Sequence, residues 1–198
     1  MISAGDEKSN GIGEFALAFR ARRSILQTLF YATRNSSLDA WAFHQRVEKS
    51  THSEHPLAAL VSGFLHSFDK TIAEQTAQDA AWAFVLIADY ALQRLADSVE
   101  PLDTRELGPT LAHGVRLSAA VWALANQARH LHKWMNEAPD VLARNPSVVI
   151  IRSLQHDPLN PNAAREVLAA LPYPAYVDFE DAISEIANEA AVAANSEG

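Results

Sequence analysis

The chain has 198 residues, no cysteine, 48% hydrophobic and 20% charged residues, which suits one globular core and excludes disordered, collagen-like and disulfide-stapled classes. The lack of thiols also removes zinc ribbons, cysteine nucleophiles and cysteine-ligated clusters. The net charge of −8 is uneven, with seven Lys/Arg against five Asp/Glu in residues 1–50 but one against eight in residues 157–198, so the composition argues against a nucleic-acid binder, which needs a basic face.

The arginines Arg20, Arg22, Arg23, Arg34 and Arg46 are the one basic candidate, and the acids interspersed with them read as a solvated helix surface. No apolar run approaches the roughly 20 residues that span a bilayer. The opening Met1-Ile-Ser-Ala-Gly-Asp-Glu-Lys has no basic-then-apolar leader. The expectation is a cytoplasmic protein with no membrane segment.

Residues 14–55 contain neither Pro nor Gly, and residues 57–100 contain only Gly63, so long helices are the economical reading. The first is expected from about Glu14 to Thr33, with Phe15, Phe19, Leu26, Leu29 and Phe30 on one side. A second starts near Ser37 and carries Leu38, Trp41 and Ala42 before fading at Glu48-Lys49-Ser50. Leu57, Leu60, Val61, Phe64, Leu65 and Phe68 then keep the spacing of one helical face. A long helix from about Ala77 to Val99 turns Ala80, Phe84, Ile87, Ala88, Ala91, Leu92 and Leu95 one way, with Trp82, Leu86 and Tyr90 widening that face.

After a turn over Glu100–Pro109, a helix is expected from Pro109 or Thr110 to Met135. Two short helices follow, about 146–155 and 161–171. Asn145-Pro146 and Asn160-Pro161 read as N-caps with Pro in the first turn, so the β-branched run Val148 to Ile151 is assigned to a helix. The last helix, about Val177 to Ala194, faces Phe179, Ile183, Ile186 and Ala190 inward. The expected fold is all-α: a single-domain helical bundle of about five main helices plus two short ones. Residues 1–13 are expected to be a flexible start, 14–194 the helical domain and 195–198 a flexible end.

The segment from Val121 to Trp134 carries the most chemistry. At about 100° per residue, Leu117, Val121, Leu124, Ala128, Leu131 and Met135 share a direction and mark the core face. Trp122, Asn126, Arg129, His130 and Lys133 point away from it. A tryptophan is rarely wanted on a solvated helix side, so these residues with Trp134 are the candidate binding surface. The alternative is that Arg129 and Asn126 satisfy neighbouring carbonyls, with His130 satisfied nearby.

Ala125, Asn126, Arg129, His130 and Trp134 also spell Ala-Asn-x-x-(Lys/Arg)-His-x-x-x-Trp. In this the chain resembles a group of uncharacterised bacterial helical proteins with that helix signature. The resemblance covers about ten residues and implies an all-α fold without implying an activity. Two acids precede the Trp in that pattern, where this chain has His132 and Lys133.

Arg46 and His52, with five residues between them, fit the Arg–His spacing of HEPN-type ribonucleases, although Val47 stands where Asn usually follows the Arg. Such spacings arise by chance in a chain with this many of both residues. Candidate metal ligands are His44 with Glu48, His66 with Asp69, and His52 with Glu54 and His55. None repeats the paired Glu-x-x-His form of di-iron bundles, while His130 and His132 diverge by about 200° on a helix. No G-x-S-x-G, P-loop or dinucleotide fingerprint is present. These residues therefore point to a non-enzymatic interaction or self-association module, its partner a protein or a second copy in a homodimer, with no cofactor and no metal. The alternative is a HEPN-like ribonuclease or other hydrolase using an Arg–His constellation.

Overall fold

A computed structural model describes the backbone of residues 4–34, 56–99 and 103–196, and the side chains of 12–34, 71–97 and 103–193. The described residues form helices α1 (Ala4–Ala21), α2 (23–34), α3 (Pro56–Val99), α4 (Leu117–Trp134), α5 (Pro139–Ala143), α6 (Pro146–Ser153), α7 (Ala163–Ala170) and α8 (Tyr176–Ser196). Among them there is no strand, only an isolated antiparallel bridge between Thr110 and Arg116. The fold is all-α. None of the described helices is long and apolar enough to cross a membrane.

Several boundaries differ from the sequence reading. Helix α1 starts at Ala4 rather than Glu14. The chain then breaks at Arg22, a turn residue whose amide bonds the Phe19 carbonyl at 3.1 Å. The Arg22 guanidinium lies over the Tyr90 ring at 5.5 Å. No Gly or Pro marks this break.

The stripe ending at Phe68 and the helix expected from Ala77 are one 44-residue helix, α3, about 66 Å long at 1.5 Å per residue. The polar stretch Asp69 to Thr76 interrupts the apolar pattern but contains no helix breaker. The side chains of Leu57 to Phe68, the expected helix after Ser37, and the residues Arg46, His52, His44, Glu48, Glu54, His55, His66 and Asp69 lie outside the described residues or side chains.

Helix α4 starts at Leu117, not at Pro109. Ahead of it, Gly108, His113 and Gly114 take left-handed backbone with φ of 83°, 59° and 78°. A Cβ on Gly108 would collide with Ile186 Cγ1, so this glycine is needed both for its dihedral and for its contact with α8. The Asn145 side chain caps α6 by accepting from the Ser147 amide at 3.0 Å. Val148 and Ile151 are buried in that helix.

The core joins all layers. Phe15, Phe19, Leu26 and Phe30 from α1 and α2 meet Phe84, Val85 and Leu92 of α3 and Tyr176, Phe179, Ile183 and Ile186 of α8. Phe84 and Phe179 sit edge to face with centroids 5.0 Å apart, and Phe30 packs at 5.9 Å from Phe84 and 6.0 Å from Phe179. Arg34 closes this layer: its guanidinium lies 4.4 Å from the Phe30 centroid and donates to the carbonyls of Leu168 (2.9 Å), Leu171 (3.2 Å) and Tyr173.

Candidate functional site

Helix α4 packs against α3 on one side and α6 on another, so its buried arc is wider than one apolar stripe. Leu117, Val121 and Leu124 are buried as expected, and so are Ala119, Ala120, Ala123 and Gln127. Ala128 and Leu131 are half-buried, and Met135, expected on the core face, is 64% exposed. The arc turns because the contact with α6 draws in the opposite edge of the helix.

That turn decides where each candidate residue lies. Trp134 is 3% exposed and belongs to the core rather than to a surface. Asn126 is half-buried and donates from Nδ2 to Ser147 Oγ of α6 at 3.0 Å. Arg129 donates from Nη2 to Asp89 Oδ2 of α3 at 2.7 Å, with Asn126 Oδ1 at 3.4 Å from its Nη1. Trp122 is half-buried, and the Arg105 guanidinium lies over its ring at 5.2 Å. His130 and Lys133 face solvent. The structure therefore brings Trp122, Asn126 and Arg129 together against neighbouring elements and leaves His130 and Lys133 outside.

Beside them lies an open cleft of about 240 Å³ lined by Asp89, Gln93 and Ala96 of α3, Asp103 to Arg105, and Ser118 and Trp122 of α4. Its floor is Asp89, whose side chain is 1% exposed. Oδ2 accepts from both Arg129 and Gln93 Nε2, the latter at 2.6 Å. Burial pushes the Asp89 carboxyl above the ordinary aspartate range, opposed by the hydrogen bond and charge of Arg129 and by the Gln93 bond. At the mouth, Asp103 grips Arg105 through bonds of 2.6 to 3.2 Å and also accepts from the Arg105 amide at 3.0 Å. Those side-chain bonds hold the Asp103 carboxyl below its usual range. Ser118 donates to the Leu107 carbonyl at 2.6 Å, which fixes the turn against the start of α4.

Asp89, Gln93, Asp103 and Arg105 were not singled out from sequence. Asp89 does carry one signal: it interrupts the apolar run of α3 between Ala88 and Tyr90, and Gln93 follows one helical turn later. Gln127 is a second missed residue, wholly buried and donating to the carbonyls of Pro158 and Asn160 at 2.9 Å each. It ties the loop before α7 to α4.

A separate pocket of about 250 Å³ is walled by Leu111, Leu154, Val167 and Leu171 with His156 at its edge. His156 Nδ1 lies 3.1 Å from Glu166 Oε2, and Asn160 holds the other oxygen at 3.1 Å. Among the described residues no three His, Asp or Glu side chains gather as a metal site. Comparison with known protein families, with curated proteins and with solved structures finds no match to this chain.

Proposed function

We propose that this protein is a non-enzymatic interaction module that receives a protein partner, or a second copy of this chain, at the cleft between α3 and α4. The reading is carried by Trp122. A large aromatic side chain walls an open cleft instead of filling the core, and such rings are favoured anchor surfaces for partners. Two further features support it. The ion pair at the floor gives the cleft a fixed shape before anything enters, and preorganisation lowers the cost of binding. His130 and Lys133 stand exposed on the same helix beyond it, available to a partner's rim.

The test is a photo-crosslinking side chain placed at Thr104, on the cleft rim, with a control at Val192, a residue 70% exposed on α8. Adducts at position 104 to a defined partner or to a second copy, lost on Trp122→Ala and missing at position 192, are the expected outcome. Equal labelling at both positions, or none at the cleft, overturns the reading. Light scattering on the adduct separates a second copy from a different protein.

A further inference from the structure

We infer that the α3–α4 cleft takes a protonated amine or guanidinium, from a partner's lysine or arginine side chain or from a free small amine. The interaction reading above supplies the source of the group, whereas its chemistry follows from the donors and acceptors of the cleft.

On the two helical walls several of the donors are already engaged. One Gln93 amide hydrogen is directed to Asp89 Oδ2, the Ser118 hydroxyl to the Leu107 carbonyl, and Arg129 Nη2 to Asp89. Acceptors outnumber the donors left on these walls: Asp89 Oδ1, which has no hydrogen bond among the described residues, the Gln93 carbonyl oxygen, and the lone pairs of Ser118, against one Gln93 N–H and the Trp122 indole N–H. A ligand that satisfies them must donate several hydrogen bonds, as an ammonium or guanidinium does. The third wall is the Trp122 ring, whose face already carries a guanidinium, that of Arg105 at 5.2 Å.

Arg105 thus holds part of the place an incoming cation would take. It sits on a three-residue turn, Thr104–Glu106, and 45% of its side chain is exposed, so it can swing outward and leave both Asp103 and the Trp122 face to a newcomer. The size agrees. At about 240 Å³ the cleft is smaller than the roughly 300–1,000 Å³ sites that hold drug-sized ligands, and it suits one side chain. The net charge of −8, with no Lys or Arg after Arg165, also favours the approach of a basic partner.

The experiment is an NMR titration of the full chain with n-butylammonium and n-butylguanidinium, set against butyrate and n-butanol, following the Trp122 indole N–H and the Gln93 side-chain amide. The cations are expected to give saturable shifts at both reporters and the other two none. Gln93→Met, at an exposed position, removes the carbonyl acceptor together with the bond to Asp89 Oδ2 while keeping bulk, and should weaken binding about threefold or more. Arg105→Gln removes the resident competitor and should tighten binding about three- to tenfold. The inference is overturned by an absence of saturable shifts with both cations, by butyrate binding as well as they do, or by weaker binding in Arg105→Gln. Failure here with cleft-specific crosslinks intact removes the cation and leaves the interaction reading standing. Amine binding without crosslinks supports the inference and removes the protein partner.

Discussion

Where α2, α3 and α8 meet, Phe30, Phe84, Tyr173, Tyr176 and Phe179 pack ring against ring; where α3 meets α4, alanines bring the backbones close and a single buried carboxylate holds the register. The first contact is non-directional and dense, so its energy is spread over many atoms. The second depends on a few hydrogen bonds of fixed geometry, and beside it the packing opens into a cleft. Polar directionality and open volume coincide at this seam, while a further open cleft of about 670 Å³ lies between α1–α2 and α8 beside the Arg23–Glu180 ion pair.

The largest effect should come from breaking the aromatic side. Phe84→Ala is expected to cost about 3–5 kcal/mol, because the ring is wholly buried between Phe30 and Phe179. A denaturant midpoint near that of the parent protein would show that the rings are not the main support of the fold.

On the polar side, Arg129→Ala leaves the Asp89 carboxylate buried with Gln93 alone, and about 1–3 kcal/mol should be lost at neutral pH. The pH dependence has a definite sign. Burial raises the Asp89 carboxyl, so the stability linked to it is fully present below the unfolded value near pH 4 and is lost as pH rises through the folded value. Removing Arg129 takes away two influences that lower that value, so the variant loses more and over a wider range upward. The gap between parent and variant should therefore be widest near neutrality and shrink toward pH 4, as followed by urea midpoints across pH. A gap independent of pH would mean that the ion pair is not what holds the seam.

Smaller still, Asn126→Ala removes the hydrogen bond to Ser147 and the long one from Arg129 and should cost about 0.5–1.5 kcal/mol, read as a modest fall in Tm. A loss as large as that of Phe84→Ala would erase the contrast between the two regions.

Much of this architecture is legible in the chain. The scarcity of Gly and Pro gives the helices, the spacing of Phe15, Phe19, Leu26 and Phe30 gives one buried face, and Phe179, Ile183, Ile186 and Ala190 give another. Asn145-Pro146 announces the start of α6. What is not legible depends on neighbours. A single helix pattern yields one direction of burial, whereas α4 is flanked by α3 and α6, so Met135 and Trp134 exchange the environments that periodicity assigns them. The break at Arg22 has no local residue to mark it. The cleft is assembled from α3, the Asp103–Arg105 turn and α4, and no one segment contains its donor and acceptor balance. Its visible part was Trp122 with Asn126 and Arg129.

The tie made by Arg34 has a consequence for the order in which this molecule is built. Its carbonyl partners Leu168, Leu171 and Tyr173, like the partners Tyr176 and Phe179 of Phe30, lie more than 130 residues further along the chain. At translation speeds of about 5–20 residues per second, Phe30 waits roughly 7–30 s for the ring of Phe179 to be made. During that interval α1 and α2 display Phe15, Phe19 and Phe30 without their final cover from α8. Until α8 is made, the solubility of α1 and α2 rests on the charged residues among those rings, Arg20, Arg22 and Arg23, rather than on the finished fold.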